Sequence, residues 1–237
     1  MKGGNQLSGL RRELEAAGDP ERARFLQGFF KTGPGQYAEG DVMMGISVPV
    51  QRKIAKRYQA LEAPQISTLL ASPLHEERLT ALIILVDQFG TADAARQERI
   101  VEFYLSKTDR INNWDLVDAS ARPILGTYLA DKDRSILYKL AGSASLWERR
   151  IAIVATHAFI QRGEFADTLR ISEALLADPQ DLIHKACGWM LREVGKRSKP
   201  DLEEFLKHHS SQMPRTMLRY AIERFGPAER QMYLQRL

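Results

Sequence analysis

The chain has 237 residues, 44% of them apolar and 27% charged, proportions that support a packed core and exclude a disordered chain. Its formal net charge of +4 and pI near 9.2 are compatible with an acidic partner but select none. The single cysteine, Cys187, excludes an internal disulfide framework. Residues 1–6 lack the apolar stretch of a secretory signal, and the longest aliphatic run, 81–86, is far too short to cross a bilayer, so a soluble, cytoplasmic protein is expected.

In chain order, apolar residues recur at spacings of three and four over 54–61, 79–89, 100–105, 116–129, 146–160, 169–176, 182–194 and 217–225. No stretch keeps the two-residue alternation of a strand, so no sheet is expected. The breaks are short: Ser72-Pro73, Thr108-Asp109, Asp131-Lys132-Asp133, Gly163, Asp178-Pro179, Lys199-Pro200 and Gly226-Pro227. This pattern predicts an all-α protein, a superhelical solenoid of stacked HEAT-like helical hairpins forming one domain over 1–237. An irregular compact bundle fits the same pattern. Segment 29–41 (FFKTGPGQYAEGD) is the one long loop, and its middle reads as a solvated connector.

Three helices bring aromatic and charged residues together. In helix 113–129, Trp114 and Asp118 are four apart and share a face at the margin of the stripe Val117, Ala121, Ile124 and Tyr128. Asp115 points elsewhere and suits the positive helix N-terminus, and Pro123 is expected to kink the helix or start a new segment. Asp118 is either a capping or ion-paired residue or a poised acid or base. In helix 145–161, Ser145 and Glu148 fit a capping box, Trp147 lies toward the core, and Arg150, His157 and Gln161 form a polar strip.

Helix 181–196 has the stripe Ile183, Ala186, Cys187, Met190, Leu191 and Val194. Trp189 lies roughly opposite, beside Lys185, Arg192 and Lys196. Two readings stay open for it: packing beneath a neighbouring repeat, or a platform for a flat or cationic ligand flanked by phosphates. Residues 185–199 hold five basic side chains against Glu193.

No HExxH, CxxC, GxSxG or glycine-rich phosphate loop is present, and His208-His209 reads as solvated surface. An enzyme built from this chain is expected to work with carboxylate, indole and guanidinium groups and with no metal or cofactor.

At these residues the sequence resembles the AlkD-like branch of the AlkC/AlkD alkylpurine DNA glycosylases, built from HEAT-like repeats. The resemblance runs through Asn112-Asn113-Trp114-Asp115-Leu116-Val117-Asp118, Leu146-Trp147-Glu148-Arg149-Arg150-Ile151-Ala152 and Lys185-Ala186-Cys187-Gly188-Trp189-Met190-Leu191-Arg192-Glu193. Met44-Gly45-Ile46-Ser47-Val48-Pro49 with Arg52 resembles the N-terminal repeat signature, and the match spans about residue 29 to the end.

The resemblance implies release of N3- and N7-alkylated purines from double-stranded DNA, with no membrane and no obligatory protein partner. Asp118 falls on the catalytic aspartate, Trp114 and Trp189 on the tryptophans facing the lesion's sugar and backbone, and Arg150 on an arginine near the lesion phosphates. Arg192 falls on a further basic contact, with Lys185 and Lys196 beside it. Phe29, Phe30, Tyr37 and Ser47 are candidates for N-terminal contacts, and the longer loop 29–41 departs from the family pattern. The alternatives are a non-catalytic helical-repeat protein binding distorted DNA and a protein-interaction scaffold.

Overall fold

The computed structural model describes residues 2–235, and the chain is all-α. Among the described residues the only extended pairing is an isolated bridge between Val42 and Leu74. No helix among them is long and apolar enough to cross a membrane. The chain divides into two compact units, Met1–Ser120 and Ala121–Leu237.

The first unit contains α1 (Lys2–Ala16), α2 (Pro20–Phe29), α3 (Val48–Ala55), α4 (Ala63–Leu70), α5 (His75–Thr91), α6 (Ala94–Leu105) and α7 (Trp114–Ser120). Helix α5 is the hub, packing against α1, α3, α4, α6 and α7. Its side chains Leu79, Leu82, Ile83, Ile84, Leu85 and Phe89 are buried, each worth about 2 kcal/mol in apolar transfer. The helix expected over 54–61 lies further upstream. Pro49 fits the first turn of α3, and 56–61 closes as tight turns, with Tyr58 N–H on the Ala55 carbonyl and Leu61 N–H on the Tyr58 carbonyl. Leu61 is still buried, so the apolar spacing recorded its burial and not a continuing helix.

Segment 30–47 is fastened at its ends and exposed over 34–36, its middle, as expected. The buried Glu76 carboxylate accepts the backbone N–H groups of Met44, Gly45 and Ile46 at 2.8, 2.8 and 3.2 Å. Gly45 has φ 83°, and a β-carbon there would fall 2.1 Å from the Asp19 carbonyl. Only glycine fits. That close approach lets Asp19 donate its N–H to the Met44 carbonyl while its carboxylate caps α2.

The second unit opens with a π-helical turn, Arg122–Gly126, followed by α8 (Ser135–Ala141), α9 (Leu146–Ala155), α10 (His157–Ile160) and α11 (Ala166–Ala174). Then come α12 (Asp181–Arg197), α13 (Lys199–His209), α14 (Arg215–Ala221) and α15 (Pro227–Leu234). Pro123 ends the regular helix as expected: α7 stops at Ser120, and Gly126 N–H reaches the Ala121 carbonyl in an i to i+5 bond. The helix expected over 145–161 is divided at Thr156, whose hydroxyl donates to the Ile153 carbonyl.

Helix α12 is the hub here, against α9, α10, α11, α13 and α14. All six residues of its predicted apolar stripe are buried. Gly188 brings α14 close: a β-carbon on it would lie 2.5 Å from Tyr220 Cβ and 2.6 Å from the Met217 carbonyl.

Candidate functional site

In the first unit, α7 presents Trp114 and, one turn on, Asp118, both half-buried. Neither is sealed in the core. Trp114 is held by two phenyl rings from the end of α2. Phe30 lies parallel to the indole at 5.1 Å between centroids, and Phe29 meets it edge-on at 6.0 Å. Phe29 in turn stacks with Phe25 at 6.3 Å, and these two outer rings remain exposed. Asp118 lies close enough to Tyr104 for its charge to add to the effect of burial, which pushes the phenol pKa up. Tyr104 and Ser120 hydroxyls share a buried hydrogen bond of 3.1 Å that fixes the same stretch of α7.

Beneath the indole lies an ionic network that the sequence reading missed. His75, at the start of α5, bonds Asp41 through Nδ1 at 3.1 Å and Asp115 through Nε2 at 2.8 Å. Arg78 reaches the same Asp41 carboxylate at 2.6 Å, and Asn113 Nδ2 donates to it at 3.3 Å. Burial opposes charge on the imidazole, but its bonds to Asp115 and Asp41 outweigh that and raise its pKa to about 9. His75 is therefore an imidazolium at neutral pH, with a carboxylate on each nitrogen. Asp115 has the expected role at the helix start, accepting Leu116 N–H, and also the unforeseen one of tying α7 to α5. The only available signal was the run His75-Glu76-Glu77-Arg78 directly before an apolar helix, which periodicity alone places in solvent.

In the second unit Trp189 is half-buried on α12, its ring 5.9 Å from that of His157. The cations around it are engaged. Lys185 pairs with Asp181 at 2.7 Å, Lys196 with Glu193 at 2.7 Å, and Arg192 with Glu223 and, at 3.6 Å, with Glu193. Arg150 does not lie on a polar strip. It is 5% exposed and donates Nη1 to the Leu182 carbonyl at 2.6 Å, because α9 packs against α12 and covers it. Trp147, expected in the core, is half-buried. Glu148 gives its N–H to Ser145 as in a capping box, while its carboxylate accepts from the Ser143 hydroxyl.

An all-α protein of the helical-solenoid class, with an indole and an acid stacked one turn apart on one helix, is what the fold and these residues define. The chain belongs to the DNA alkylation repair enzyme family, whose sequence profile matches residues 10–225. A solved structure described as "Predicted DNA alkylation repair enzyme from Enterococcus faecalis" is similar in fold: 17% identity, TM-score 0.68, covering 89% of this chain and 97% of that one. No curated protein is similar enough in sequence to match. Family membership sets the chain's work as DNA alkylation repair, with DNA as substrate.

Proposed function

We propose that the protein is a DNA glycosylase that hydrolyses the N-glycosidic bond of cationic N3- or N7-alkylated purines in duplex DNA. The observation that carries this reading is the pairing on α7 of a clamped, half-buried indole with a half-buried carboxylate, within a chain of the repair family.

The substrate's own chemistry decides what the protein must supply. An N3- or N7-alkylated purine is already cationic, so it leaves as a neutral base and needs no general acid. What remains is a sugar with oxocarbenium character and a water to trap it. The Asp118 carboxylate stabilises that positive charge, worth about 2–4 kcal/mol in a partly desolvated site. It then accepts the proton that the attacking water loses as the new C–O bond forms. The indole face of Trp114, on the same helix as Asp118, attracts the developing charge, about 0.5–2 kcal/mol, and the Trp189 indole of the second unit offers a face of the same chemistry to the DNA.

The basic residues act on the strand. Arg192, Lys185 and Lys196 surround Trp189 and each already holds a carboxylate in the free protein, so each contributes to strand binding only what remains after that pair is exchanged for a phosphate. Arg150, buried on the Leu182 carbonyl, sets how α12 begins and so acts through position.

The test is direct. Purified protein is incubated, in the presence of a chelator, with duplex DNA bearing 7-methylguanine or 3-methyladenine, and free base is measured. Release of methylpurine supports the reading. No release with enzyme in excess over DNA would leave a protein that only binds.

A further inference from the structure

We infer that Arg122 and Arg197, held together by Gln161, form a phosphodiester-binding site for the DNA backbone on the second unit. The inference rests on duplex DNA being the ligand, as in the function proposed above. Three separate segments converge: Arg122 opens the π-helical turn, Gln161 follows α10, and Arg197 ends α12. Arg122 donates Nη2 to the Gln161 side-chain oxygen at 2.8 Å, and Arg197 reaches the main-chain carbonyl of the same residue at 3.4 Å. All three residues are exposed.

What separates this pair from its neighbours is the absence of a counter-ion. Arg162 is paired with Asp131 and Glu164, Arg134 with Glu164 and Asp167, and Arg149 with Asp178. Among the described residues, Arg122 and Arg197 meet only the neutral oxygens of Gln161. Two guanidinium groups brought onto one residue without a carboxylate repel each other, and an anion relieves that. Their planar donor forks match phosphate oxygens, and the bonds to Gln161 fix them before the anion arrives.

His157, half-buried beside Trp189, reports the same convergence. Burial first, then Arg122, Lys196 and Arg197 push its pKa down, with Glu193 alone opposing them. At neutral pH it is uncharged, and a ring N–H there adds a donor without adding repulsion. His157, whose ring is 5.9 Å from that of Trp189, lies within electrostatic reach of both arginines, so the site and the indole share it as a neighbour.

Binding of undamaged duplex is measured across a salt series for wild type, Arg122→Gln, Arg197→Gln and the double variant. Each single change is expected to reduce the slope of log affinity against log salt by roughly 1, and the double by about 2. Arg162→Gln, which removes a nearby cation already ion-paired, is expected to leave the slope unchanged. As a second readout, the His157 pKa followed by NMR should rise on duplex binding in wild type and not in the double variant.

An unchanged slope in the double variant, or an equal fall in Arg162→Gln, overturns the site. Methylpurine release by the same preparations separates the two proposals. Release with an unaltered slope removes only this site, whereas the expected slopes without release remove only the glycosylase. Failure of wild type to bind duplex removes both.

Discussion

Phe30 lies face to face with Trp114, the ring centroids 5.1 Å apart and the planes within 13° of parallel. Phe30 is buried while Trp114 is half-buried, so the phenyl is a fixed floor on which the indole rests. The same phenyl approaches the His75 ring at 5.0 Å. The indole's position is thus set jointly by the end of α2 and the start of α5.

Phe30→Ala removes that floor and leaves a gap beside the indole. A loss of about 3 kcal/mol in stability is expected, near the low end for deleting a buried phenyl. Methylpurine release should slow as well, even well below the unfolding midpoint. Single-turnover rates equal to wild type at such a temperature would show that Trp114 is oriented without Phe30.

Asp118→Asn keeps the shape of the side chain and removes its charge. Duplex affinity should stay within about twofold while release falls roughly 30- to 1000-fold, matching a loss of 2–4 kcal/mol in transition-state stabilisation. Undiminished single-turnover excision would take Asp118 out of the chemistry.

His75 predicts a pH signature. Its pKa is raised from 6.5 to about 9 on folding, so its contribution to stability is fully present below pH 6.5 and is lost as pH rises through 9. The amount is of order 3 kcal/mol by linkage. Asp41, whose pKa is lowered by His75 and Arg78 against the cost of burial, adds stability that disappears only as pH falls below its ordinary range. Chemical denaturation at pH 6.5, 8 and 9.5 should therefore show declining stability in wild type. In His75→Gln this decline should be largely absent. Parallel profiles for the two proteins would mean that His75 is neutral in the folded state.

Gly188→Ala places a methyl where Tyr220 Cβ and the Met217 carbonyl already sit, at 2.5 and 2.6 Å. Helix α14 must move away from α12, at an expected cost of about 1–3 kcal/mol, or a fall of roughly 2–12 °C in melting temperature for a chain of this size. A melting temperature within 1 °C of wild type would show that the two helices separate freely.

Trp189→Ala should lower both the rate and the discrimination between methylated and undamaged DNA. An effect of up to about 30-fold is expected if the indole stabilises positive charge by about 2 kcal/mol. Normal kinetics on methylated duplex would leave Trp189 a packing residue beside His157.

From its sequence alone the chain already showed that it is all-helical and which side chains share a helix face, although the helix expected over 54–61 lies at 48–55. The stripe on α12 was legible because a helix repeats every 3.6 residues, and a side chain's place on that wheel depends on its own neighbours in the chain. The break at Pro123 was legible for the same local reason. So was the stacking of Trp114 above Asp118, one turn apart.

Which side chains are covered, and which long-range charge pairs form, depends on packing between distant segments. Arg150 looked solvent-facing on its own helix, but α12 covers it. Arg192 looked bare on its own helix, but it pairs with Glu223 from beyond it; the Lys185–Asp181 and Lys196–Glu193 pairs, four and three residues apart on α12, were legible in the sequence and went unread. His75 gained its charge from Asp41 and Asp115, 34 and 40 residues away. Phe30 became the floor of the indole of Trp114, a residue separated from it by much more of the chain than His75 is from its partners. Electrostatics and ring stacking act through space between residues far apart in sequence, and helical periodicity carries no record of such partners.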